Sequence, residues 1–231
     1  MIGLGPGDRV LVHSSLRAVG LDADELIDEL LAAVGPRGLV VMPTFTYDNE
    51  TFTPDTPSRT GALTDVFRRR PEALRSLHPT YSVAAIGSGA AELLEGHERV
   101  AATDVESPLG RLAASGGLVL LLGVGHTSNT TVHVGEFEAD APYLEIPFDP
   151  AWPTHGYDRF PGCSRAFGFL ERPLRERGAI RDGNVGRALA QLVPCRVVVE
   201  ETVALLRADR TALLCTDRAC YRCSYARERL S

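Results

Sequence analysis

Arg9 to Met42 reads RVLVHSSLRAVGLDADELIDELLAAVGPRGLVVM, and the architecture follows from it. Arg9 to His13, behind the turn Gly5-Pro6-Gly7-Asp8, is a short β-branched run of the kind that forms a strand. Asp22 to Val34 places apolar residues at Leu26, Ile27, Leu30, Leu31 and Val34, the spacing of an amphipathic helix. Gly35-Pro36-Arg37-Gly38 stops the helix, and Leu39 to Met42 is a second, wholly apolar strand. Strand, helix, tight turn and strand in succession predict a layered α/β fold.

The first strand runs directly into Ser14 and Ser15, with Arg17 close behind. Hydroxyls and a guanidinium at a strand end could receive a phosphate or pyrophosphate. Serine there also commonly does no more than cap a turn. A comparable strand end lies at Leu118 to Glu136 (LVLLLGVGHTSNTTVHVGE), an apolar run that breaks at Gly123 and Gly125 and turns polar. Ligands of open α/β sheets sit just past such ends. With Ser128 or Asn129 as cap, His133 and Glu136 fall one turn apart on one helix face. An imidazole oriented by a carboxylate can take a proton near neutral pH, so these two are the catalytic candidates. The same spacing also suits a polar pair that merely decorates a helix.

Elsewhere the pattern is plainer. Asn49 to Thr60 reads as a functional loop, Gly61 to Arg70 as a short helix ended by Pro71, and Val83 to Ile86 as a strand. His78, before Pro79, lies in a fixed loop as either a ligand contact or a structural group. Ala90 to His97 is helical, and Ser107 caps a helix with Pro108 at its first position. Phe137 to Tyr157, acidic and aromatic, suits a cleft wall or lid, or a solvated loop. A helix around Phe167 to Glu176 tolerates Pro173 only at a start or kink. Gly186 to Val193 reads as a short helix, Arg196 to Val199 as strand-like and Glu201 to Ala208 as a helix.

At 231 residues the chain fits a single domain, 1–231, with residues 211–231 as a cysteine-rich appendage within it. A hydrophobic content of 44% argues against disorder, and a net charge of -6 against nucleic-acid binding. No basic segment followed by a long apolar one opens the chain, and no run reaches the roughly 18 apolar residues of a membrane span. The expectation is a soluble, cytoplasmic protein with no membrane partner, with a homodimer left open. Neither a G-x-S-x-G elbow, a P-loop, a G-x-G-x-x-G after a strand nor an H-E-x-x-H is present.

The segments VLVHSSLRAVG (Val10 to Gly20), VVMPTFTYD (Val40 to Asp48), TPSRTGALTDVFRRRPEALRSLHPTYSVAAIG (Thr56 to Gly87), SPLGRL (Ser107 to Leu112) and LLLGVGHTSNTTVHVGE follow one another over most of the chain. In that order and spacing they resemble the aminoglycoside 3-N-acetyltransferase family. The resemblance implies a three-layer α/β/α sandwich with a mixed central sheet, acetyl-CoA as cosubstrate along a cleft, and a cationic amine acceptor beside the thioester. It implies CoA contacts from His13, Ser14, Ser15 and Arg17, with Arg75, Ser82 and Ser107 as further ones. His133 falls on the family's general base and Glu136 on its acid, for direct transfer in a ternary complex. A polycationic acceptor calls for carboxylates and polar neighbours, and Tyr47, Asp48, His78, Glu138, Asp140 and Glu145 are the candidates. The acceptor can equally be a biosynthetic amine, and a hydrolase or a CoA-ligand-binding protein reusing the fold is the alternative.

Three cysteines, Cys215, Cys220 and Cys223, crowd the C-terminus as C-x4-C-x2-C. With Cys163 they make a tetrahedral four-thiolate set for structural zinc if the tail folds back onto that loop. Unpaired thiols or a disulfide are the other readings, and Cys195 sits in apolar sequence as a core residue.

Overall fold

Apolar runs too short for helices became the centre of a sheet in the computed structural model, which describes residues 2–47, 51–147 and 149–230. β1 (Arg9–Ser14) and β2 (Leu39–Pro43) lie parallel, with Val10 opposite Val40. Between them come a single turn, α1 (Leu16–Val19), and α2 (Ala23–Val34), whose first N–H groups donate to the Asp22 carboxylate. The chain continues through α3 (Ala62–Phe67), β3 (Leu74–Arg75), β4 (Val83–Gly87), α4 (Ala90–Leu94), α5 (Pro108–Ala114), β5 (Leu118–Leu122) and α6 (Thr131–Glu138). It closes with α7 (Glu171–Glu176), the hairpin β6 (Arg181–Val185) and β7 (Ala188–Pro194), then α8 (Cys195–Ala208) and α9 (Tyr221–Leu230).

Among the described residues the sheet has seven strands in the order β3-β4-β2-β1-β5-β7-β6. β1 pairs in parallel with both β2 and β5, and the flanking pairs are antiparallel, which makes the sheet mixed. Strand side chains alternate between faces, so one strand feeds two cores. Val10, Val12, Val40 and Met42 pack with Leu26, Ile27 and Leu30 of α2 and Phe67 of α3. Leu11, Val41, Val119 and Leu121 pack on the opposite face with Leu109 and Leu112 of α5, Val132 of α6 and Val198 and Val199 of α8. The result is the expected three-layer α/β/α sandwich. Among the described residues no helix is long and apolar enough to cross a membrane.

Two expectations fail in the C-terminal part. Gly186 to Val193 forms no helix: Gly186 and Arg187 turn a hairpin, with Gly186 at φ 54, and β7 follows. Ala188, Ala190 and Leu192 are buried while Leu189 is 77% exposed, a period of two that two alanines disguise as helix-forming sequence. Arg196 to Val199 is no strand either, since α8 begins at Cys195 and buries Val198, Val199, Thr202, Val203 and Leu206 on one face. Helical periodicity over the whole segment overrides the strand preference of its β-branched residues. The helix read from Ala90 to His97 stops at Leu94, and a 3₁₀ turn spans His97–Arg99. The segment around Phe167 is a 3₁₀ stretch, Ser164–Leu170, with α7 beginning only at Glu171 so that Pro173 falls in the first turn.

Candidate active site

Parallel pairing makes β2, β1 and β5 end at the same edge, and a cavity of about 460 Å³ opens there. Its wall comes from the residues just past each strand: Pro43, Phe45 and Tyr47 after β2, His13 and Ser14 at the end of β1, and Thr127, Ser128, Asn129 and Thr130 after β5. Trp152 and Tyr81 extend an aromatic side, with Phe45 and Tyr81 edge to face at 4.9 Å and Tyr47 and Trp152 at 6.1 Å. Among the described residues no carboxylate lines the cavity.

The 3₁₀ turn His126–Ser128 carries the chain from β5 into α6. Asn129 anchors the start of the helix: its Oδ1 accepts the Thr131 N–H at 3.0 Å, and its Nδ2 lies 3.2 Å from His126 Nδ1. Packed between sheet and α8, α6 is buried from Thr131 to Phe137, so its polar pair faces protein rather than bulk water. His133 Nδ1 lies 2.7 Å from Glu136 Oε2 and donates to it. Glu136, fully buried, also receives the Gly162 N–H on Oε2 at 2.9 Å and the Tyr143 hydroxyl on Oε1 at 2.9 Å. Three donors thus satisfy one acceptor-only carboxylate. Phe167 holds the His133 ring edge on at 4.7 Å. With Nδ1 committed to Glu136, Nε2 is the ring's second nitrogen, on a side chain that lines the cavity.

Gly162 has to be glycine. A Cβ there would sit 2.2 Å from Glu136 Oε1 and 2.6 Å from Oε2, and would drive the carboxylate off its present position.

His13 lines the same cavity. Its Nε2 accepts the Thr130 N–H at 3.3 Å, so it secures the entrance to α6. Burial, then the neighbouring His133, push the His13 pKa down to about 3 and keep the ring neutral.

The structure therefore brings His13, Ser14, Tyr47 and His133 to one cavity, with Glu136 directly behind. Other candidates are placed elsewhere. Ser15 caps α1 through the Ala18 N–H, and Arg17 is exposed on that turn. Arg75 donates from Nε to Ser82 Oγ at 3.0 Å, from Nη2 to Thr44 O at 2.7 Å and from Nη1 to Pro54 O at 2.8 Å. Its guanidinium also lies 5.0 Å over the Phe52 ring, so Arg75 and Ser82 fasten the loop around residues 52–56 to the sheet. Burial lowers the Arg75 pKa to about 10. Ser107 is fully buried as the cap of α5, accepting the Gly110 N–H.

On the acceptor side, His78 lines a separate, smaller cavity, stacked on Tyr157 at 4.5 Å with Nδ1 accepting the Tyr81 N–H. Glu138 is bound by both Nη atoms of Arg196 at 2.7 and 2.8 Å. Asp140 pairs with Arg159 at 2.9 Å, and Glu145 is exposed. Asp48 lies outside the described residues. Tyr143 and Gly162, which complete the Glu136 shell, were not anticipated. Glycine after proline at Pro161-Gly162 is a signal that could have marked a close approach of the backbone there.

The four cysteines Cys163, Cys215, Cys220 and Cys223 do gather, with every sulfur within 4.8 Å of the others. Cys195 is separate and buried, and burial raises its pKa to about 12, which leaves an unreactive core thiol.

A mixed-sheet α/β/α sandwich with a histidine–carboxylate couple beneath a cavity at the strand ends belongs to the class of α/β enzymes that act on small molecules. A family model described as aminoglycoside 3-N-acetyltransferase matches residues 11–207. The sequence is 36% identical to aminoglycoside N(3)-acetyltransferase IV of Salmonella sp over 220 residues, 90% of this chain and 84% of that one. It is 31% identical to aminoglycoside N(3)-acetyltransferase VII of Streptomyces paromomycinus over 88% of this chain and 86% of that one. Among solved structures, the apoenzyme of aminoglycoside acetyltransferase AAC(3)-IVa superposes with a TM-score of 0.85 at 33% identity, covering 98% of this chain and 92% of that one. AAC-IIIb, solved as a binary complex with CoASH, superposes at 0.76 with 25% identity over 90% and 92% of the two chains. The chain belongs to the aminoglycoside 3-N-acetyltransferase family, whose members are acyltransferases with acetyl-CoA as cosubstrate.

Proposed function

We propose that this protein transfers the acetyl group of acetyl-CoA directly to an aminoglycoside, at the 3-amino group of its 2-deoxystreptamine ring, with His133 as general base. The observation that carries this reading is the 2.7 Å contact between His133 Nδ1 and the buried Glu136 carboxylate, on a histidine that lines the cavity. Glu136 fixes the tautomer that leaves Nε2 able to accept a proton, and stabilises the imidazolium that results. Further support comes from relatives: AAC(3)-IVa was solved with a gentamicin as a histidine-to-alanine mutant, at a TM-score of 0.87 to this chain.

In the reaction, the acceptor nitrogen attacks the thioester carbonyl carbon and gives its proton to His133 Nε2. The carbonyl oxygen becomes an oxyanion, which hydroxyls or N–H groups of the cavity wall stabilise. The C–S bond then breaks, and the departing CoA sulfur takes the proton back from the imidazolium. In this reading Ser14 and the hydroxyls of Thr127, Ser128 and Thr130, which line the cavity, meet the pantetheine arm, and the exposed Arg17 on α1 takes a phosphate. The aromatic side built by Tyr47, Tyr81 and Trp152 suits a cationic sugar, whose ammonium groups favour ring faces. We read the chain as one acetyltransferase domain acting in the cytoplasm.

Thermal shift with acetyl-CoA, followed by thiol release across a panel of amines, tests the reading. Stabilisation by acetyl-CoA and release of CoA thiol on adding gentamicin are expected. Thiol release at the same rate without any amine points instead to hydrolysis, and no response to acetyl-CoA defeats the proposal.

A further inference from the structure

The cysteine cluster includes Cys163, next to the Gly162 whose N–H binds Glu136, and it has the features of a metal site. Cys163 precedes the 3₁₀ stretch Ser164–Leu170, Cys215 and Cys220 lie between α8 and α9, and Cys223 is in the first turn of α9. Cys163 Sγ and Cys215 Sγ are 3.8 Å apart. That is well beyond the roughly 2.05 Å of a disulfide bond. It equals the edge, about 3.8 Å, of a tetrahedron whose corners lie about 2.3 Å from a central zinc.

Charge gives an independent indication. Four thiolates and one divalent ion sum to -2, which a buried site must balance. Arg222, next to Cys223, is only 1% exposed. Its Nη2 donates to Tyr143 O at 2.9 Å and Phe160 O at 2.6 Å, while its Nε and Nη1 have no partner among the described residues. A buried guanidinium with two unused donors is costly unless negative charge lies near it, and Glu136 first and then Cys223 act on Arg222. Arg227, bound to the carbonyl of Cys215, adds positive charge beside the same cluster.

We infer that Cys163, Cys215, Cys220 and Cys223 bind one zinc ion as a closed four-thiolate site, and that this site braces the catalytic carboxylate. Soft thiolates in tetrahedral array select zinc, and a set with no open position is structural. Binding releases the four thiol protons and ties the tail to the loop at Cys163. That loop offers the Gly162 N–H to Glu136, and Arg222 holds the carbonyl of Tyr143, whose hydroxyl is another donor to Glu136. Two of the three bonds on Glu136 are thereby fastened to the metal site. The bracing rests on Glu136 serving the reaction proposed above, whereas the zinc assignment does not.

Elemental analysis of the full chain, purified without chelator or metal-affinity resin, reads the ion directly. About one zinc per chain is expected, released by a mercurial reagent with a chromogenic zinc indicator, and less than about a tenth in Cys220→Ser. Less than a tenth in the native chain, iron instead of zinc, or a disulfide among the four overturns the assignment. Should Cys220→Ser not fold, native protein produced with cobalt(II) must show thiolate-to-metal charge transfer and the intense visible bands of tetrahedral cobalt. Their absence is equally fatal. In folded, zinc-stripped protein, kcat for thiol release should fall about tenfold or more while KM for acetyl-CoA stays within about twofold, since only the base is disturbed. An unchanged kcat there removes the bracing role. An inactive native protein that still holds one zinc counts against the acetyl-transfer reading alone.

Discussion

Glu136 meets no solvent, so each of its three donors is hard to replace: water cannot take a lost donor's place in a dry site. His133 uses one oxygen of this carboxylate as its orienter, and substitution to alanine should lower kcat by about 10²–10⁴-fold while acetyl-CoA still binds. Steady-state kinetics with calorimetric titration of the mutant decide it, and unchanged kcat would acquit His133. Gly162→Ala adds a Cβ 2.2 Å from Glu136 Oε1. We expect a folded protein with kcat reduced about tenfold or more and little change in acetyl-CoA affinity, because the carboxylate must move off its geometry. A mutant with native kcat would show that Glu136 has more latitude than its shell implies. His133 and Glu136 were legible in the sequence because helix geometry alone joins residues three apart. Tyr143 and Gly162 come from outside that helix, seven and 26 residues from Glu136, and only tertiary folding brings them in. The carboxylates of Glu138 and Asp140 were visible too, but the arginines that engage them were not.

Local rules carried most of the elements. Asp22 caps α2, Ser107 caps α5 and Pro108 opens it, each as its residue type requires. Ser107 illustrates how a residue of a family motif can serve the fold: it is fully buried and its hydroxyl accepts the Gly110 N–H. Ser107→Ala should therefore cost about 1 kcal/mol of stability and leave KM for acetyl-CoA untouched. Urea unfolding and saturation kinetics on the same preparation check both halves, and a raised KM would restore the serine to the cosubstrate site. The C-terminal elements resisted reading because their signals conflict locally. In β7 alanine mimics a helix, and in α8 a Val-Val-Val run mimics a strand. Only the pairing of β7 with β5 and the packing of α8 on α6 resolve the conflict.

Acid should test the molecule as a whole. Burial holds His13 at about 3 and His97 at about 4, and His78 well below its usual value, with neighbouring histidines adding to His13 and His78 and Arg111 to His97. His97 has partners on both nitrogens, Ser76 Oγ at 2.8 Å and Ala102 O at 3.0 Å, and burial outweighs the Ala102 carbonyl, which favours the protonated ring. Unfolded chains take up these protons near pH 6.5 while the native fold refuses them. Stability is thus complete above about pH 6.5 and falls as pH drops toward 4, by up to roughly 1.4 kcal/mol per pH unit for each histidine. Tm measured from pH 7.5 to 4.5 should decline accordingly, and a flat profile would mean that these rings are protonated in the native state.

The two rims of the sheet bear on how copies of this protein meet. One rim is β3, two residues long, and the other is β6, whose Arg181, Asp182, Gly183 and Asn184 put charge and a glycine where a partner strand would dock. Asp182 is further tied to Arg175 at 2.7 Å. Short, charged edges discourage a second chain from adding its strands. Crowded or partly concentrated protein accordingly lacks a template for continuous cross-chain sheets, and any self-association has to use helical or loop surfaces instead.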